Sequence, residues 1–385
     1  MAQRRRYPAL VLALACAALG LAPVPVTAAD TVTWTLHPGR GGDDVRTTFS
    51  TTAGPQRIGT RVFPPKDLAT PVDTVGAESA HGRASTLDVR GLRADGTWSE
   101  WTPVTPGAPA VLPEPATSVQ ARLVQTAPER VGPVELTGRL AGHGPQAEGT
   151  EQADRAAGPM TFRVFATREG LVGGTTANGH RIVRRDHFVA LPSRRGLAAR
   201  GKGDYTVRVC TIGNARCEWA PVWDVGPWNT RDDHWNPGRE SWPDLPHGKP
   251  QAQAAYEDGH NGGRDQFGRK VANPAGIDLA DGTFWDGLRL KTNAWVNVTY
   301  EWTASGPWGT VVTPAGVHLN VRAGTSASTP QVGYAARHAR VRLVCSVTGD
   351  VANGTQGSSD TWYRLARGKH VAAAYIDVAV PPTPC

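Results

Sequence analysis

The chain has 385 residues, 39% hydrophobic and 19% charged, which is too long for one ordinary domain and excludes a highly charged disordered polymer. Gly 44 and Pro 31 supply about a fifth of the residues; they interrupt helices and punctuate strands, so turn-rich β structure is predicted and an all-α bundle is excluded. The net charge of +7 comes from 35 Arg and 6 Lys among 41 basic residues, but these form no long basic block, which argues against nucleic acid and suits an anionic polymer such as a cell wall.

Residues 1–29 read as an export leader. Arg4–Arg6 form a basic region, Ala9 to Ala22 an apolar run, and Val26-Thr27-Ala28-Ala29 a small-residue cleavage site. Loss of this leader lowers the net charge to +4. The apolar run is too short for a membrane span, and no later stretch is long enough, so no transmembrane anchor is expected. Cys16 sits inside that run, preceded by Ala13-Leu14-Ala15, an arrangement unlike a lipoprotein site. Free secretion follows.

Export leaves four cysteines, Cys210, Cys217, Cys345 and Cys385, an even number suited to two disulfides in an oxidising compartment. Of the three possible connectivities, the local pairing 210–217 and 345–385 is the simplest. No CxxC occurs and the histidines lack ligand spacing, so neither a zinc site nor another metal is expected.

Residues 30–140 alternate short strand-like runs with Pro/Gly-rich spacers: Thr86 to Arg90, Gly96 to Val104, Val119 to Leu123 and Val134 to Leu136. A period of two in such a setting predicts a β-sandwich. Trp98 and Trp101 read as one core and one surface residue. This block resembles the accessory β-domain that precedes some actinobacterial wall amidases, and it carries no catalytic constellation. Residues 141–160 are polar, rich in Gly and Ala and aperiodic, which predicts a linker. A second short linker is expected at 304–310.

Residues 161–303 hold strand-like runs at Phe162 to Thr167, His187 to Leu191, Tyr205 to Cys210, Ala220 to Val225 and Trp295 to Tyr300. Among them lie three signatures in order: Thr176-Ala177-Asn178-Gly179, Asp224-Val225-Gly226-Pro227-Trp228, and Gly276-Ile277-Asp278-Leu279-Ala280. The ordered set resembles the six-stranded double-psi β-barrel of rare lipoprotein A and the expansins, with an insertion between Trp235 and Val271. Residues 311–385 resemble a bacterial SH3-like small barrel, on Leu319-Asn320-Val321-Arg322-Ala323-Gly324, Trp362-Tyr363-Arg364-Leu365 and Ala374-Tyr375-Ile376. Thr325 replaces the usual proline of that motif.

Those resemblances imply a wall polysaccharide, peptidoglycan first, as the partner of a monomer; no cofactor is expected, since no Gly-rich phosphate loop follows a strand and no metal cluster is seen. Glycosidic cleavage needs a carboxylic acid to protonate the leaving oxygen. By correspondence with the barrel signatures, Asp278 is the expected acid and then base, and Asp224 the assisting carboxylate. Each has a structural alternative: Asp224 as acceptor for the following turn, Asp278 as a helix cap. The family's histidine falls on Phe188, with His187 one residue off and so on the opposite face of a strand unless a bulge intervenes. Arg168-Glu169 stands where the first strand of the family carries aromatics. Glu169 reads as a solvated loop charge, or as a substitute for a lost carboxylate.

Sugar contacts are expected from aromatic faces. Of Trp219, Trp223, Trp228, Trp235 and Trp242, half should be core, and Trp228 and Trp235 are the surface candidates. Asn178, Trp362 and Tyr375 complete the expected contacts. Asp258, His260 and Asp265 in the insertion fit no metal-loop spacing and read as a hydrogen-bonded loop. Two rivals to the enzyme stand beside it: a non-catalytic, expansin-like wall binder, favoured by the histidine departure, and a secreted protease inhibitor.

Overall fold

The computed structural model describes residues 31–38, 48–49, 57–78, 82–142, 155 and 158–385. The predicted leader, Cys16 included, and most of the 141–160 linker lie outside the described residues. The fold is mainly β. Strands β1 (Val32–Leu36), β2 (Thr48–Phe49), β3 (Gly59–Val62), β4 (Lys66–Ala77), β5 (Ser85–Gly91), β6 (Thr102–Val104), β7 (Ala110–Gln125) and β8 (Val134–Arg139) form an antiparallel N-terminal sheet. Its longest strand, β7, pairs with β4 along its first part and with β3 and β5 beyond.

Alternation along β7 decides how this sheet docks. Val119, Ala121 and Leu123 turn into the sheet's own core. On the opposite face, Arg122 ion-pairs with Asp88 and donates to the carbonyl of Arg194 in the second unit. A strand buried on both faces reads as continuously buried, which is what the second half of β7 shows.

The central unit is a closed, six-stranded mixed barrel: β9 (Thr161–Arg168), β10 (Val189–Leu191), β11 (Thr206–Thr211), β12 (Cys217–Val225), β13 (Ala275–Leu279) and β14 (Ala294–Tyr300). The order around it is β10-β13-β9-β14-β11-β12, and a parallel β10–β12 pairing closes the ring. The β9–β13 pair is also parallel and the other pairs antiparallel. Helix α1 (Gln251–Asp258) lies in the long β12–β13 connection. Trp235, Tyr300 and Trp302 pack with the barrel aliphatics in one core, which also receives Trp101 of the N-terminal unit.

Barrel strand β12 is buried throughout because it serves two cores. Ala220 and Val222 face the barrel interior, while Cys217 and Trp219 face the C-terminal core. The C-terminal unit comprises β15 (Trp308–Val311), β16 (Leu319–Arg322), β17 (Gln331–Ala335), β18 (Arg340–Arg342), β19 (Cys345–Gly354), β20 (Gly357–Ala366), β21 (Lys369–Ala372) and β22 (Ile376–Val378). β17 adds in parallel to β12, so the barrel sheet runs on into this unit. Ala304, in the stretch read as a linker, is fully buried.

Both disulfides take the local pairing: Cys210–Cys217 joins β11 to β12, and Cys345–Cys385 ties down the C-terminus. Two such bonds indicate an oxidising environment. Among the described residues no helix is long and apolar enough to cross a membrane.

Candidate functional site

Register builds the site. Thr167 on β9 pairs with Asp278 on β13, Asp278 with Ala190 on β10, and Ala190 with Asp224 on β12. Residues directly opposite one another on neighbouring strands point to the same side. The row Thr167, Asp278, Ala190, Asp224 therefore sets two carboxylates on one face, two strand spacings or roughly 10 Å apart at Cα. Alanine between them leaves the space open. These residues line a pocket of about 410 Å³, with Glu169 and Arg168 on one side and Gly226, Trp228, Arg269 and Asn293 also on its walls.

Asp224 is buried, and its Oδ1 accepts from the backbone N–H groups of Ala177 and Val225, each at 2.8 Å. The Thr176-Ala177-Asn178-Gly179 signature thus supplies a donor to the Asp224-Val225 signature. Asn178, expected at the substrate, is buried instead. Its amide donates to the Ala198 carbonyl, and its Oδ1 accepts from Thr176 and from the His180 N–H. It shapes the turn that holds Asp224 and does not line the pocket.

Asp278 is only partly covered and accepts a short hydrogen bond from the Thr167 hydroxyl. Burial, with the Asp224 charge adding to it, raises its carboxyl to about 7, against the opposing effect of Thr167. It is a strand residue, not a helix cap.

Glu169 corrects the reading of a solvated loop charge. Its backbone N–H donates to the Leu279 carbonyl, continuing the β9–β13 ladder by one residue and holding Glu169 in the pocket wall. Both carboxyl oxygens are buried, and the group they meet is the Asp224 carboxylate, within hydrogen-bonding reach. Burial first, then Asp224 and Asp278, push its pKa well above the usual carboxylate range. Three carboxyls facing one another in this way hold fewer than three charges near neutrality, because like charges in a low-dielectric site resist joint ionisation. The only signal for Glu169 in the sequence was its position directly after the first barrel strand.

Trp228 lies on the pocket wall in the left-handed region, at φ 61°. Its Nε1 donates to Asn273 at 3.0 Å, and the Arg269 guanidinium lies 5.4 Å from its ring centre. A bulky residue is held in this sparsely populated region only by such surroundings. Asp265 accepts from the Phe267 and Arg269 backbone and ion-pairs with the Arg269 side chain, so it positions that arginine. His260 pairs with Asp244, and Asp258 with Lys249. The insertion is a short helix, α1, followed by a hydrogen-bonded loop, and no group of metal-ligating side chains gathers among the described residues.

Trp235, expected at the surface, is fully buried: it stacks on Tyr300 at 4.8 Å and donates to Glu100 at 2.6 Å. Trp219 and Trp223 are also core, whereas Trp242 is partly exposed beside His260. Trp362 is buried with its Nε1 on the Asp350 carbonyl, and the half-buried Tyr375 donates to the Asn353 carbonyl. Both sit in the C-terminal unit, away from the carboxylate pocket.

His187 does not reach the pocket. It pairs with buried Glu218 at 2.9 Å and stacks on His318, with ring centres 3.8 Å apart. The irregularity in the β10–β12 pairing puts its extra residue, Trp223, on β12 and leaves β10 regular, so no bulge swings His187 round. No curated protein and no solved structure matches this chain. A family model described as a domain of unknown function (DUF8814) matches residues 160–299, the stretch that builds the barrel and its carboxylate pocket.

Proposed function

We propose that this is a secreted cell-wall protein that binds peptidoglycan and cleaves its glycan strands at the barrel pocket, in the manner of a lytic transglycosylase. The observation that carries the reading is the partly exposed Asp278, raised to about 7 beside Asp224 and Glu169. A general acid works best with a pKa near the working pH. Below that value Asp278 gives its proton to the glycosidic oxygen, and the C1–O bond breaks. The positive charge developing at C1 faces Asp224. The same sugar's 6-hydroxyl then attacks C1 and returns its proton to Asp278, leaving a 1,6-anhydro end and an unchanged enzyme. Glu169, itself raised by burial and by Asp224 and Asp278, keeps its oxygens out of solvent beside the acid. Trp228 offers an aromatic wall for the sugar.

The resemblance to rare lipoprotein A and expansin barrels, and of the C-terminal unit to bacterial SH3-like domains, points to the same polymer. The predicted leader and the two disulfides agree with secretion. Incubating purified peptidoglycan with the protein and with Asp278→Asn, then identifying soluble fragments by mass spectrometry, tests the proposal. Anhydro-muropeptides from the parent alone are expected. If neither protein releases fragments while both sediment with the wall, cleavage is refuted and the binder remains. His187, turned away to Glu218, favours that second reading.

A further inference from the structure

A second concavity, of about 900 Å³, opens beside the carboxylate pocket and has the opposite electrostatic character. Arg184, Arg185, Arg289 and Lys291 line it, all exposed, with Asp281 the single carboxylate in its wall. Arg168 belongs to both cavities' surroundings: it lines the carboxylate pocket, and its guanidinium reaches Asp281 at 2.6 Å. Asp281 is therefore already engaged. Arg185 is held by Asp286 at 3.1 Å. Arg184, Arg289 and Lys291 form no ion pair among the described residues, so the bowl keeps a surplus of positive charge.

Its floor is organised by Trp285, which is 39% exposed. The guanidiniums of Arg168 and Arg185 lie 4.7 and 5.0 Å from its ring centres. Cation–π contact of this kind orders an arginine while leaving its N–H edge free to bind. Arg185 and Arg289 both adopt left-handed backbone, at φ 57° and 58°, a conformation uncommon for long side chains. Five cations brought around one aromatic platform repel one another, which a merely solvated face avoids by dispersal. Planar guanidiniums match carboxylate and phosphate oxygens by paired hydrogen bonds.

We propose that this bowl is a binding subsite for the anionic substituents, carboxylate or phosphodiester, of a sugar or polyol chain. It rests on the glycan reading of the neighbouring pocket only for the direction in which that chain continues, across Arg168. The bowl takes an anionic group, and the carboxylate pocket excludes one. A chain crossing both must carry its charge on one side of Arg168 and a neutral ring on the other.

Equilibrium binding of the full chain distinguishes the sources. The probes are an oligogalacturonate, a poly(glycerol phosphate) and a neutral chito-oligosaccharide of similar length. The test variant is Arg184→Ala/Arg289→Ala/Lys291→Ala. The control is Lys66→Ala/Arg130→Ala/Arg139→Ala, three exposed cations of the N-terminal unit, which removes the same charge elsewhere. All six side chains are exposed, and circular dichroism verifies that both variants are folded.

We expect at least one anionic probe to lose about tenfold or more in affinity in the test variant, little in the control, and to bind more weakly as salt rises. Which probe responds identifies the group as carboxylate or phosphodiester. Equal losses in both variants, or no binding of either anionic probe by the parent, would overturn the subsite. Cleavage is not part of this readout, so failure of the enzymatic reading leaves the result intact.

Discussion

Asp278 and Asp224 share a face but are held in different ways, and each difference is measurable. The Asp278 carboxyl, raised to about 7 chiefly by burial, binds its proton more tightly in the fold than in the unfolded chain. Stability from this group is therefore full below the unfolded value near 4 and falls as pH rises through 7. Asp278→Asn should melt close to the parent at pH 4 and at a higher temperature at pH 8. Equal shifts at both pH values would show that the carboxyl ionises normally. Asp224 instead carries two buried backbone donors, from Ala177 and Val225. Asp224→Ala should cost about 2–3 kcal/mol in urea unfolding at pH 5, where its neighbours hold their protons and the lost hydrogen bonds dominate. A loss below about 0.5 kcal/mol would mean that solvent replaces the carboxylate. Both aspartates were legible in the sequence through their signatures. Glu169 was legible only as one of two alternatives, because a charge after a strand looks solvated until the β9–β13 pairing is seen to run on to it at Leu279.

At the scale of elements, the junction between β12 and β17 depends on one glycine. Gly333 has φ 154°, and a Cβ built there would lie 1.7 Å from the Cys217 carbonyl oxygen. The two backbones approach because no side chain stands between them. Gly333→Ala should destabilise the protein by about 2–4 kcal/mol through this overlap. Gly316→Ala is the matched control, since Gly316 is also left-handed, at φ 72°, but faces open space; it should cost about 1 kcal/mol. Similar urea midpoints for the two variants would show that the junction relaxes freely. Strand alternation was readable for β5, β9 and β14, whose predicted runs fall within the observed strands, and for β11 to within one residue. The Gly96 to Val104 run was overread: only Thr102–Val104 is strand. The segment before it turns so that Trp98 and Trp101 flank Arg90, at 4.6 and 4.3 Å.

Across the whole molecule, the N-terminal sheet and the barrel share polar groups that neither satisfies alone. Glu100 accepts from the indole N–H groups of Trp235 at 2.6 Å and Trp302 at 2.7 Å, and its other oxygen takes Asn236 at 2.7 Å. Trp101 donates to the Leu197 carbonyl, and Tyr205 to the Ser99 carbonyl. Arg90 pairs with Asp204 across the same boundary. Groups buried by docking are costly when undocked, so calorimetry should record one cooperative transition for these two units. Glu100→Ala should lower their stability by about 3 kcal/mol, as two indoles lose a charged acceptor. Two well-separated transitions in the parent would show that the units unfold independently.

Composition and short-range pattern by themselves determined the mainly-β class and made the local pairing Cys210–Cys217 and Cys345–Cys385 the simplest of three, while the resemblance to a barrel family picked out the strand–turn signatures that carry Asp224 and Asp278. These are local properties: Gly and Pro set the turns, alternation sets the strands, and a nearby cysteine is the easiest to reach. Only the tertiary structure decided that Glu169 joins the aspartates, that Trp235 fills the core while Trp228 lines the pocket, and that His187 turns to Glu218. Barrel closure and sheet docking choose which strand face meets which neighbour, and that choice depends on contacts between residues far apart in the chain. The cationic bowl around Trp285 has the same origin, since Arg184 and Arg185 meet Arg289 and Lys291 only after the barrel has closed.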